Sequence, residues 1–174
     1  MRIEEARPAD AEAMLMAHRA AVRGTAAAFY DVEIINTWAP LPLRAETIEL
    51  LARRIERGVE EAVVARDRSG AIIGFGSIVP NVHELRAVYV SPAHGRSGIG
   101  GSILRELEAR ARRRGLAELT MNASINAEAF YRRHGFTSEG YGEHRLDGGY
   151  RMARVRMRLA QPKLPNAGKV SSIQ

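Results

Sequence analysis

The run Gly95-Arg96-Ser97-Gly98-Ile99-Gly100, with Gly101 and Ser102 directly behind it, has the composition to hold an anion. Gly98, Gly100 and Gly101 lack a Cβ, so the backbone can curl tightly and come close to a ligand. A helix that begins here leaves its first N–H groups unpaired and turns the positive end of its dipole toward the same point. Together these features make a phosphate cradle that needs no lysine. A glycine-rich helix entry that merely packs tightly is the other reading of the same residues. Two better-known phosphate motifs fail on single positions. The P-loop needs G-x-x-x-x-G-K-[ST], and no glycine of this turn is followed by that lysine. The dinucleotide fingerprint needs G-x-G-x-x-G, but Gly98 and Gly100 lead to Ile103 where the third glycine belongs.

A second segment with chemical potential is Ala127-Glu128-Ala129-Phe130-Tyr131-Arg132-Arg133-His134-Gly135-Phe136. It reads as a short helix carrying Phe130 and Tyr131, closed by Gly135. Tyr131 there is either a buried amphipathic residue with a satisfied hydroxyl or a proton donor.

The elements that must position these residues follow from periodicity. Strands are expected at 2–6, 61–66, 71–79 and 83–90, the second and third joined by the turn Asp67-Arg68-Ser69-Gly70. Helices are expected at 11–23 and 44–57, the latter with Ile48, Leu51 and Ile55 on one side. The stretch from 26 to 42 reads as irregular and aromatic. After the glycine turn, 99–114 is a strong helix with Ile99, Ile103, Leu104, Leu107 and Ala111 on one side. A buried strand at 116–121, a helix at 126–134 and strands at 137–141 and 151–159 complete the order. Arg154, Arg156 and Arg158 alternate with Val155, Met157 and Leu159 in the last, as in a half-buried strand. This gives an α/β (α+β) domain over 1–159 with a mixed, largely antiparallel sheet. The tail 160–174, with Pro162, Pro165 and Gly168, is expected to be poorly ordered.

Composition narrows the function. The 174 residues suit one domain with a substantial core. With no Cys, disulfide scaffolds, thiolate metal sites and cysteine nucleophiles are excluded. The His residues form no H-E-x-x-H pair, so no metal is expected. A polar N-terminus and the lack of 18 consecutive apolar residues point to a cytoplasmic protein without a membrane partner. The net charge of +6 suits an anionic ligand or a solvated arginine-rich helix face, since Arg105, Arg110, Arg112, Arg113 and Arg114 lie in one helix. Nucleic acid is not expected: there is no zinc-finger spacing and no RNP-like aromatic strand.

The run Glu84-Leu85-Arg86-Ala87-Val88-Tyr89-Val90-Ser91-Pro92, the turn ending Gly98-Ile99-Gly100, and the pattern A-x-x-F-Y-x-x-x-G-F resemble the GNAT superfamily of N-acetyltransferases. The resemblance covers about 1–159 and is strongest from Glu84 to Phe136. The segment from Tyr30 to Pro40 with Trp38, and the pair Ala123-Ser124, look like one bacterial subgroup of uncertain substrate. The family fold is a three-layer domain with helices on both faces of a sheet that is splayed at the coenzyme site. The resemblance implies acetyl-CoA as cosubstrate, lying between the parting strands like an extra strand. Val88, Tyr89 and Val90 then hold the thioester and pantetheine, and Gly95, Arg96, Ser97, Gly98, Ile99, Gly100, Gly101 and Ser102 hold the pyrophosphate. Tyr131 matches the tyrosine that can protonate the departing thiolate, and Glu84 a position that often bears the general base. Two positions depart from the family pattern. Gly95 stands where Gln or Arg is usual, with Arg96 one residue later, so the cradle must rest on backbone donors. Ser124 replaces a frequent Asn, and Asn126 is near enough to take over its pantetheine contact.

On this reading an amine attacks a thioester. An amine of pKa about 10.4 is almost wholly protonated at neutral pH, so a base must accept its proton. Glu84 lies four residues, about 13 Å of strand, from Val88, which favours a water relay over direct contact. An exposed or Arg86-paired carboxylate is the alternative for Glu84. Tyr30, Trp38, His83, His144 and Tyr150 are candidates for the acceptor side, because the early helices and late strands flank it in this family. The expected reaction is acetylation of a small-molecule primary amine. A protein or peptide amine acetyltransferase and a non-catalytic acyl-CoA sensor are the alternatives. Homodimers are common in such folds, but no residue reads out the oligomeric state.

Overall fold

The apolar run at the heart of Glu61–Arg66 (β2) and the longer one of Ile72–Val79 (β3) are buried on both faces, which places them at the centre of a sheet. The computed structural model describes residues 1–160. Seven strands lie in the order β1 (Arg2–Glu5), β2, β3, β4 (Glu84–Val90), β5 (Glu118–Ser124), β7 (Arg151–Ala160) and β6 (Thr137–Arg145). Every neighbouring pair is antiparallel except β4 and β5. Of the expected tail 160–174, Ala160 is instead the last residue of β7, paired with Glu118, and the rest lies outside the described residues.

Helices cover both faces. On one face lies α4 (Ile99–Arg113), whose Ile103, Leu104, Leu107 and Ala111 are fully buried against Val63, Ile78, Leu119 and Met157. At ~1.5–3 kcal/mol per large apolar side chain, this stripe is a main source of cohesion. Gly76 permits the close approach: a Cβ there would lie 2.6 Å from Ile103 and 2.8 Å from Leu107. On the other face, α1 (Ala11–Ala21) and α3 (Ala45–Glu56) pack Met14, Ala17, Leu51 and Ile55 onto Val64, Phe75 and Ala87.

The structure corrects the reading of 26–42 as irregular. Val32–Trp38 forms a further helix, α2, and α1 gives way to a π-turn at Val22–Ala26. Ile34, Ile35 and Trp38 of α2 pack against Val22, Tyr30 and Met152, a stripe confined to a seven-residue helix. Arg23 adds polar ties, donating to Asn36 Oδ1 (3.0 Å) and to Ala39 O (2.8 Å). The helix between β5 and β6 also divides, into a 3₁₀ turn at Ile125–Ala127 and α5 (Glu128–Arg133).

Two irregularities of β4 shape the site. Its pairing with β3 shifts between Ser77↔Ala87 and Ile78↔Leu85, so Arg86 is an extra, bulged residue. Its pairing with β5 amounts to one register position, Glu84↔Thr120, backed by Thr120 N–H donating to His83 O at 2.8 Å. Beyond Glu84 the two parallel strands part, while β5 stays paired to β7 from Glu118 to Ser124.

Candidate active site

The parting of β4 from β5 opens a cleft of about 730 Å³, within the size range of small-molecule and cofactor sites. Val88, Tyr89 and Val90 form one wall, and Met121 to Ser124 the other. The glycine turn and the first turn of α4 close one end, and Asn126, Phe130 and Tyr131 line the α5 side. The structure thus brings together Val88, Tyr89, Val90, the turn from Gly95 to Gly101, Ser102, Ser124, Asn126 and Tyr131 around one space.

The local sequence explains the cradle. Pro92–His94 make a 3₁₀ turn, and the Ser97 hydroxyl donates to His94 O. Arg96 and Gly98 take left-handed conformations, φ 58° and 80°, which reverse the chain into α4. Ser102 N–H bonds Gly98 O at 3.1 Å, so the N–H groups just before it are left for a ligand, as at any helix start. A Cβ at Gly100 would stand 3.3 Å from the Phe130 ring, and one at Gly101 2.8 Å from His134 Nε2. Larger side chains there would intrude on the cleft or on its α5 wall.

These residues fit a phosphate-bearing, amide-rich ligand. The cleft offers a helix N-terminus for anions. Asn126 Oδ1 and His94 Nδ1, both on residues lining it, are buried without a hydrogen-bond partner among the described residues. Such orphaned atoms are rare and call for a partner. Arg96 has no acidic partner among the described residues, leaving its charge available to an anion.

Tyr131 is 4% exposed and packs edge-on against Phe130 and Phe136, with ring centroids 5.0 and 5.5 Å away. Its hydroxyl has no hydrogen bond among the described residues. Burial, and then the neighbouring Tyr89, push its pKa well above the ordinary phenol value, so it remains a proton donor. Tyr89 is raised likewise by burial.

A second cavity, about 370 Å³, touches the first through Met121 and Asn122. Val82, Glu84, Thr120, Arg154 and Arg156 complete its lining. Glu84 stands where the strands begin to part. Burial raises its carboxyl above the usual range, the Glu60 carboxylate adds to the rise, and Arg54 opposes it. Arg86 Nη2 donates to Glu84 Oε2 at 2.7 Å. In this structure Glu84 is thus an arginine-paired carboxylate, and any base role for it would have to be exercised within that pair.

The acceptor-side candidates are scattered. Trp38 lines the large cleft. Tyr30 lines neither cavity; its hydroxyl accepts from Ile125 N–H (2.7 Å) and donates to Ala153 O (2.8 Å). It clips β7 to the turn that follows β5. His83 offers its carbonyl to Thr120 and turns its side chain to solvent. His144 and Tyr150 are exposed, at β6 and before β7, and line neither cavity.

Sequence reasoning missed several residues. His18, on α1, lies 4.6 Å from the Tyr89 ring and 6.0 Å from Trp38, and burial lowers its pKa to about 4. Phe130 and His134 form the α5 wall. Arg154 and Arg156 enter the small cavity; their alternation with apolar residues was the one available signal, and it spoke only of strand.

Among the described residues no helix is long and apolar enough to cross a membrane, and no cluster of acidic and histidine side chains could hold a metal. Residues 35–159 match the family described as Acetyltransferase (GNAT) domain. No curated protein matches the chain. Among solved structures, a GCN5-related N-acetyltransferase from Rhodopseudomonas palustris superposes with TM-score 0.80 at 23% identity, over 91% of this chain and 94% of that one. The PaiA N-acetyltransferase of Thermoplasma acidophilum, in complex with coenzyme A, gives 0.72 at 21% over 92% and 99%. YncA, a putative acetyltransferase from Salmonella typhimurium with acetyl-CoA, gives 0.68 at 22% over 97% and 99%. At such identities these structures establish the fold, and the family match covers most of the chain. The chain belongs to the GNAT acetyltransferase family and, with it, to the acetyl-CoA-dependent acetyltransferases.

Proposed function

We propose that the protein moves the acetyl group of acetyl-CoA to a primary amine of a small molecule, by direct attack of the amine on the thioester. The observation that carries this reading is the split between β4 and β5, with a donor-rich cradle at one end and Glu84 at the other. Acetyl-CoA supplies a thioester carbonyl and a leaving thiol of reference pKa about 8.5.

The residues divide the work. The N-terminus of α4 and the turn before it hold the pyrophosphate through backbone N–H groups. Val88, Tyr89 and Val90 hold pantetheine along one wall, and Asn126 along the other. A backbone N–H near Val88 stabilises the oxyanion that forms on the carbonyl. Glu84 takes the amine proton, directly or through a water, and its raised pKa brings it closer to the working pH of a base. Tyr131 returns a proton to the thiolate. The small volume beside Glu84, about 370 Å³, suits a small acceptor.

The test is thiol release from acetyl-CoA by the purified chain with small primary amines and, separately, lysine peptides. At least one small amine is expected to accelerate release ~10-fold or more over hydrolysis, with N-acetylated product found by mass spectrometry. Acceleration by peptides alone would transfer the function to protein or peptide amines. A raised melting temperature with acetyl-CoA but no accelerating amine would make the protein an acyl-CoA sensor.

A further inference from the structure

The small cavity has an unbalanced charge opposite Glu84. Three arginines of β7 project on one face, alternating with the buried Val155 and Met157. Two of them are neutralised: Arg156 pairs with Glu139 at 3.1 Å, and Arg158 with Glu139 at 2.9 Å and Glu118 at 3.3 Å. Arg154 is half-buried, lines the cavity, and has no acidic or hydrogen-bonding partner among the described residues. A guanidinium stays charged at any working pH, and its planar fork matches a carboxylate. Partly desolvated and without a counterion, it is a site for an anionic group.

On the other side of the same cavity Arg86 holds Glu84 Oε2, while Glu84 Oε1 has no hydrogen-bond partner among the described residues. Glu84 enters it from β4, one strand beyond β5, whose Asn122 lies between Glu84 and the β7 arginines and adds an amide. An ammonium group is favoured at the Glu84 oxygen that Arg86 leaves unbonded, and an anion beside Arg154. A linear polyamine would have to place a second cation among arginines.

We propose that the acceptor is a small amino carboxylate, an amine and a carboxylate on one short skeleton, whose carboxylate is bound by Arg154. This rests on the small-amine transferase reading and narrows it to one substrate class. Thiol release with the full chain and saturating acetyl-CoA tests it, comparing α- and ω-amino acids with their carboxamides and with diamines and spermidine. The free acids are expected to exceed their amides by ~10-fold or more in kcat/KM. Arg154→Gln should raise KM for the acids by a similar factor, leave the amides unchanged, and leave KM for acetyl-CoA unchanged. Arg154→Lys should restore part of the loss, which a merely structural role for the residue would not yield. Equal use of acids and amides, or preference for polyamines, would overturn the inference while leaving small-amine transfer standing. No acceleration by any small amine would overturn both.

Discussion

The two cavities that meet at Met121 and Asn122 are built by different means. The large cleft, proposed to take the coenzyme, is made largely of backbone: a strand edge without a neighbour, a left-handed turn and a helix N-terminus. The small cavity, proposed to take the acceptor, is made of side chains, Glu84 from β4 and arginines from β7, that meet only through the tertiary fold. Backbone donors tolerate side-chain change provided space is kept, whereas a side-chain site changes its ligand with single substitutions. A common coenzyme and a variable acceptor are the natural consequence.

Filling the backbone site is expected to have the largest effect. In Gly100→Leu a Cβ already 3.3 Å from Phe130 forces the remaining atoms toward the cleft. Acetyl-CoA affinity should fall at least ~100-fold, about 3 kcal/mol, by calorimetric titration, with the ligand-free melting temperature little changed. Binding of unchanged strength would show that the cradle lies elsewhere.

Glu84→Gln tests the side-chain half. At neutral pH kcat/KM for the amine should fall by ~100-fold while acetyl-CoA binding persists. Because burial and Glu60 raise the Glu84 pKa, the wild-type rate should decline with falling pH at a point above the ordinary carboxyl value, where the base becomes protonated. The variant should lack that limb. A limb that survives would assign it to another group.

Tyr131→Phe separates the ring, which lines the large cleft, from the hydroxyl proposed as the acid. The ring remains, so KM for acetyl-CoA should hardly move, while kcat falls by ~10-fold in steady-state assays. The effect is limited because the thiolate is only a moderately poor leaving group. Unchanged kcat would remove Tyr131 from the acid role.

How much of this was legible in the sequence divides along the same line. Gly98, Gly100, the stripe Ile103-Leu104-Leu107-Ala111 and the hairpin at Asp67–Gly70 announce themselves locally, because turns and periodic faces depend on neighbours in sequence. The α2 helix did not, because its stripe of Ile34, Ile35 and Trp38 spans only seven residues and Arg23, from outside the helix, helps to hold it. Tyr30 looked like an acceptor residue, yet its hydroxyl is occupied by Ile125 and Ala153, the latter 123 positions away. Arg154 looked like one of several alternating arginines. Only the pairing of β5 with β7, and the acids that neutralise Arg156 and Arg158, single it out.

The smallest effect is expected at Arg96. Its side chain adds to a cradle whose main donors are backbone N–H groups, so Arg96→Ala should weaken acetyl-CoA only ~2- to 5-fold, as befits an exposed ionic contact. A loss as large as that of Gly100→Leu would mean that side chains, not backbone, hold the pyrophosphate.

The central claim, that coenzyme lies between parted strands and against the α4 entry, is tested most directly by amide hydrogen exchange with and without acetyl-CoA. Slowed exchange is expected across residues 88–90, 95–102 and 122–131, with little change in 152–158 until an acceptor amine and coenzyme A are added together. Protection confined to β7, or none in the turn from Gly95 to Ser102, would contradict it.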